Sequence, residues 1–84
     1  MKPVRMYSTL MCPFCVMARR LLAAKGAHVD EIRVDEVPGR RAEMTQLTGR
    51  HTVPQIFVGD VHVGGCDDLY ALDRSGRLDS LLND

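Results

Sequence analysis

"VRMYSTLMCPFCVMARRLLAAKG", residues 4–26, decides how the chain is built. Residues 4–8 alternate and are rich in β-formers, which predicts a strand. A short loop, residues 9–11, follows. Pro13 then suits the first turn of a helix, where its missing N–H leaves nothing unpaired. Ala18, Leu21 and Leu22, with Phe14 and Met17, repeat at helical spacing, while Arg19, Arg20 and Lys25 fall mostly outside that stripe. Gly26 can cap the far end. The stretch therefore reads as strand, loop and a helix over about residues 13–25, with Cys12 as N-cap. The helix starts at the carboxyl end of a strand, where α/β proteins commonly place their sites.

Working outward, "VDEIRVD" predicts a second strand with Ile32 and Val34 on one face. Pro38 opens a second helix through Ala42, Met44 and Leu47, stopped by Gly49. In "TVPQIFVGDVHVGG" two short strands, residues 55–58 and 61–63, flank the hairpin turn Gly59-Asp60. A last helix begins near Asp67 and buries Leu69, Tyr70 and Leu72. Ser75-Gly76 breaks it, and a final turn over residues 78–82 covers the sheet. The order βαβαββα gives a small α/β sandwich. Its first two strands are parallel neighbours by the right-handed crossover rule, and its hairpin is antiparallel.

Eighty-four residues predict one domain, residues 1–84, with one modest core. Apolar residues make up 45% and charged ones 26%, which excludes a disordered chain. No apolar run approaches the ~18 residues that span a bilayer. The N-terminal residues lack the apolar core of a secretory signal, so a cytoplasmic location is expected. There stable disulfides are rare, and paired cysteines are catalytic or metal-binding more often than structural. The net charge of zero argues against nucleic acid as a partner. The basic residues Lys2, Arg5, Arg19, Arg20 and Lys25 gather before residue 30, where there is no acid ahead of Asp30. Six aspartates lie between residues 60 and 84. Two solvated faces explain this split, and a basic surround would also favour anionic sulfur near Cys12.

Cys12 and Cys15 carry the chemistry. The reactive form of cysteine is the thiolate. The unpaired N–H groups and the dipole of a helix N-terminus stabilise an anion at Cys12 and lower its pKa. Cys15 sits one turn inward on the same face, within reach of a mixed disulfide formed on Cys12. Pro13 stiffens the turn between them. A zinc site would need about four ligands. Only Cys66, His28, His51 and His62 remain to complete one, with no second C-x-x-C and no H-x-x-x-H. A structural staple across so short a loop would add little. Two inert buried cysteines would have no use for Pro13. Dithiol redox chemistry fits best.

The chain resembles a glutaredoxin of the bacterial dithiol class. The resemblance spans nearly its whole length: Cys12-Pro13-Phe14-Cys15 after the first strand, Thr52-Val53-Pro54 before the third, and Gly64-Gly65-Cys66-Asp67-Asp68 opening the third helix. It implies a thioredoxin fold, with a four-stranded mixed sheet flanked by helices. It further implies glutathione as co-substrate, no bound cofactor or metal, and a monomer acting on disulfide-bonded or glutathionylated proteins. By the same resemblance, Cys12 is the nucleophile and Cys15 the resolving thiol.

The resemblance also assigns a glutathione site. Thr52, Val53 and Pro54 form one part of it, with a cis Val53-Pro54 bond leaving Val53 free to pair with the cysteinyl part, strand-like. Gly64 and Gly65 permit close backbone approach. Cys66, Asp67 and Asp68 begin a helix whose N–H groups suit the γ-glutamyl carboxylate, with an Asp side chain taking the ammonium. The family often carries Lys three positions before the first Cys. Thr9 stands there, leaving Arg41 or Arg50 as possible contacts for the glycine carboxylate. Phe14 replaces the commoner Tyr. Cys66 reads as a small packing residue rather than a third redox centre. Two other functions are compatible with the pattern. One is a glutaredoxin-like protein reduced by thioredoxin reductase. The other is a dimer holding an iron–sulfur cluster between two Cys12 thiolates, against which Pro13 argues.

Overall fold

A computed structural model describes all residues, 1–84. Its elements are β1 (Val4–Ser8), α1 (Pro13–Ala24), β2 (Val29–Arg33), α2 (Arg40–Thr48), β3 (Gln55–Val58), β4 (Val61–Gly64), α3 (Cys66–Arg74) and α4 (Arg77–Asn83). The strands form one mixed sheet in the order β2-β1-β3-β4. β1 runs parallel to β2 and antiparallel to β3, and β3 and β4 make the antiparallel hairpin. The expected thioredoxin-type architecture is present. No helix is long and apolar enough to cross a membrane.

Both faces of the central strands are covered. Val4 and Met6 of β1, with Ile56 and Val58 of β3, point to one face, where they join Cys15, Ala18 and Leu22 of α1, Leu69 of α3, and Leu78 and Leu82 of α4. Tyr7 and Phe57 point to the other and pack with Val34 and with Met44 of α2. Alternation along each strand thus feeds two clusters, the larger served by three helices and the smaller by one. Beside the buried Met44, a hydrogen bond from β1 ties α2 to the sheet, and an ion pair within α2 shares its acceptor. The Tyr7 hydroxyl donates to Glu43 at 2.5 Å, and Arg40 donates to the same carboxylate at 2.7 Å.

Several sequence expectations are corrected. α2 begins at Arg40, not Pro38, because Gly39 takes φ +87°, a left-handed conformation that no helix accommodates. Ala42 and Leu47 are exposed on it, and Met44 alone is fully buried. The final turn is a true helix, α4, with Leu78 and Leu82 one turn apart and fully buried. The Lys2 N–H donates to the Leu82 carbonyl at 2.7 Å and fastens the end of α4 beside β1. The buried stripe of α1 is Cys15, Ala18 and Leu22, whereas Phe14 and Met17 are 57% and 44% exposed. Those two side chains lie largely outside the core. Tyr70 and Leu72 are only half-buried.

Candidate active site

Cys12 is the N-cap of α1, in extended conformation, and its sulfur accepts the Cys15 N–H at 3.1 Å. It sits where the first turn of the helix presents its otherwise unpaired donors. Cys12 and Cys15 are joined as a disulfide, with Cα atoms 5.1 Å apart. Cys15 is fully buried, while Cys12 keeps 8% of its surface. The outer sulfur is therefore the one an incoming disulfide can reach. The loop that delivers Cys12 is pinned from β2. Asp35 accepts the Leu10 N–H at 3.1 Å and holds a two-pronged bond to Arg33 at 2.8 and 2.9 Å. The Arg33 bond, then the Leu10 N–H, hold the Asp35 carboxyl far below the usual carboxylate range.

A pocket of about 210 Å³ opens beside the disulfide. One wall is Thr52, Val53 and Pro54, with the Val53-Pro54 bond cis as expected. The Val53 carbonyl oxygen lies 3.9 Å from the Cys12 sulfur. The facing wall is the start of α3: Gly65, Cys66, Asp67 and Asp68. Phe14 and Arg50 complete the rim. Every residue of the expected glutathione site is thus gathered here except Gly64 and Arg41. That arginine borders a separate groove with Thr45, Gln46 and His51.

The two aspartates differ. Asp68 accepts the Gly65 N–H at 2.9 Å, closing the N-terminus of α3, and accepts Arg50 at 2.9 Å. Those bonds, Arg50's first, lower its pKa. Asp67 is exposed on the pocket wall with its carboxylate in no hydrogen bond or ion pair within the chain. Gly64 has φ +118°, and a Cβ there would overlap the Asp68 carboxylate, so glycine is required for the closure. At Gly65 a Cβ would meet the Pro54 oxygen at 3.5 Å, an ordinary contact. Cys66 is 5% exposed, and burial, then Asp67, push its thiol pKa up.

Sequence reasoning did not single out Asp35, whose link to Leu10 spans 25 residues and leaves no local pattern. Helical spacing puts Phe14 in the core stripe, but its place beside Pro13 in the first turn sets it on the rim of the site.

Comparison with known proteins agrees with this geometry. The family model described as Glutaredoxin matches residues 4–63. The chain is 57% identical over 84 residues to a protein of Neisseria meningitidis serogroup A named "Glutaredoxin", covering 99% of each. It is 49% identical over 82 residues to "Glutaredoxin 3" of Escherichia coli K12, covering 98% of this chain and 99% of the relative. Among solved structures, the buckwheat glutaredoxin–glutathione complex superposes with a TM-score of 0.90 at 32% identity, over 98% of this chain and 77% of that one. The solution structure of glutaredoxin from Brucella melitensis gives 0.85 at 56% identity, over 98% of this chain and 89% of that one.

Proposed function

Because the chain belongs to the glutaredoxin family and is a thiol–disulfide oxidoreductase, we propose that glutathione supplies its electrons and that Cys12 and Cys15 divide the exchange. The observation that carries this reading is the position of the Cys12 sulfur. It sits at the N-terminus of α1, 3.9 Å from the carbonyl oxygen of Val53, which with the start of α3 walls the pocket.

The Cys12 thiolate attacks the glutathione sulfur of a mixed disulfide. A Cys12–glutathione disulfide forms, and the target thiolate leaves. A second glutathione thiolate attacks the glutathione sulfur on Cys12, regenerating the Cys12 thiolate and releasing glutathione disulfide. With a protein disulfide, Cys12 forms a mixed disulfide with the target. The Cys15 thiolate then attacks the Cys12 sulfur, closing the Cys12–Cys15 bond and expelling the second target thiolate. Two glutathiones reopen it, one remaining transiently on Cys12 and leaving as glutathione disulfide.

Glutathione would lie between the two walls. Val53 offers backbone groups to its cysteinyl part. The first N–H groups of α3 take the γ-glutamyl carboxylate. Asp67 is the free acid for the ammonium, because Asp68 is committed to Gly65 and Arg50. Arg50 is the cation on the rim, with guanidinium N–H groups beyond its bond to Asp68 for the glycine carboxylate. The exposed Leu10, Met11 and Phe14, which flank Cys12 in the chain, give a protein substrate an apolar surface to rest on. A monomer in the cytosol, acting on disulfide-bonded or glutathionylated proteins, suits this arrangement.

The test is a comparison of two electron sources. Reduction of a mixed disulfide of glutathione should proceed with glutathione, glutathione reductase and NADPH. It should be slow with thioredoxin reductase and NADPH. The reverse preference would replace glutathione as the donor.

A further inference from the structure

Gln55 opens β3 with its side chain fully buried. A buried amide is costly unless its polar atoms are paired. Here they are. Its Nε2 donates to the Thr52 carbonyl at 3.0 Å and lies 3.3 Å from the Thr52 hydroxyl. Its Oε1 points the other way, 2.7 Å from His62 Nε2. An amide oxygen only accepts, so His62 carries its proton on Nε2. Burial, then Arg50, lower the His62 pKa against the opposing pull of Asp68, which favours the neutral ring. The imidazole is also held by packing. It stands opposite Phe57 in the β3–β4 register, with ring centroids 5.0 Å apart, and Phe57 meets Tyr7 edge-on at 6.2 Å.

This chain of bonds ends in the pocket wall. Thr52 is followed by Val53, whose carbonyl oxygen is the one 3.9 Å from the Cys12 sulfur. Thr52 itself is exposed and has no other side-chain anchor. We propose that Gln55 and His62 are positioning residues for glutathione transfer, the His62–Gln55–Thr52 chain holding residues 52–54 so that the Val53 backbone faces Cys12. The proposal deepens the glutathione reading and rests on it. Neither residue touches the reacting sulfurs, so the effect belongs to binding of glutathione more than to the exchange step.

Two substitutions separate positioning from simple packing. His62→Phe keeps a ring on Phe57 and removes the donor, leaving Gln55 Oε1 unpaired. His62→Gln returns an N–H donor at similar reach. Two quantities are measured: KM and kcat in glutathione-dependent reduction of a mixed disulfide, and the amide NMR signals of Thr52 and Val53 in the glutathione-free protein. His62→Phe should raise KM for glutathione about three- to tenfold, change kcat less than about twofold, and move both amide signals. His62→Gln should bring KM and the signals back toward wild type. Unchanged KM and unmoved signals in His62→Phe would overturn the proposal, as would failure of His62→Gln to restore them. Loss of glutathione dependence in the wild type would instead remove glutathione as the donor. The amide signals judge the positioning chain in that case too, without any substrate.

Discussion

Cys12 and Cys15 differ in access and in their place on α1. Cys12 caps the helix and keeps a sliver of surface, while Cys15 lies inside the helix and has none. Cys12→Ser should therefore abolish all activity. Cys15→Ser should keep reduction of glutathione mixed disulfides and lose most reduction of protein disulfides, as steady-state assays on the two substrate types would reveal. Equal losses in both variants would refute the division of labour. In the reduced protein Cys12 should be alkylated by iodoacetamide at pH 7 at least about tenfold faster than Cys66, because the helix N-terminus favours the thiolate of one and burial disfavours that of the other. Either aspartate at the start of α3 suits the ammonium on sequence grounds. The Asp68 carboxylate closes α3 and holds Arg50, which leaves Asp67 the freer acid. Asp68→Ala should thus lower the melting temperature, by roughly 4–8 °C if the lost cap is worth ~1 kcal/mol. Asp67→Ala should raise KM for glutathione with little change in melting temperature. Thr9 stands where the family often has Lys. An exposed ion pair contributes only ~0.2–1 kcal/mol, so Thr9→Lys should improve kcat/KM for glutathione by a few-fold at most, less in high salt.

At the scale of elements, what could be read from the sequence was what repeats locally. β1, the proline at the start of α1 and the Gly59-Asp60 hairpin each declare themselves within a few residues, and their positions stand as expected. The topology followed from their order. The unreadable parts are those made by distant partners. Asp35 to Leu10, Arg50 to Asp68 and Tyr7 to Glu43 span 25, 18 and 36 residues, and no spacing rule connects them. The same limit hid α4. Seven residues without a capping side chain look like a turn, yet Leu78 and Leu82 have the core to bury into and Lys2 to hold their end. Lys25, at the end of α1, also reaches Asp73 of α3 and Asp79 of α4 at 2.7 and 3.0 Å. Leu78→Ala should cost about 2–5 kcal/mol in denaturant unfolding, the range for a buried leucine. A cost under ~1 kcal/mol would mean that α4 is peripheral to the core.

Across the whole molecule, four carboxylates tie separate elements together. Glu31 is held below its ordinary value of 4.5 mainly by Arg19, and Glu43 mainly by the Tyr7 hydroxyl. Asp35 and Asp68 are held below 3.8 mainly by Arg33 and by Arg50. A depressed carboxyl stabilises the fold fully above its unfolded pKa and stops doing so as pH falls through its folded one. Stability should therefore decline gently below about pH 6.5, where His62 protonates in the unfolded chain before the folded one, and then fall progressively below about 4.5, followed as melting temperature against pH. These ties surround the site as well as the core, since Asp35 fixes the loop before Cys12 and Asp68 fixes the facing wall. The central claim is that this frame presents one sulfur, that of Cys12, to glutathione. Intact-mass and peptide mapping of Cys15→Ser after mixing with glutathione disulfide tests it most directly. The account predicts a single glutathione adduct, on Cys12, removed by added glutathione. An adduct on Cys66 instead, or no adduct at all, would contradict it.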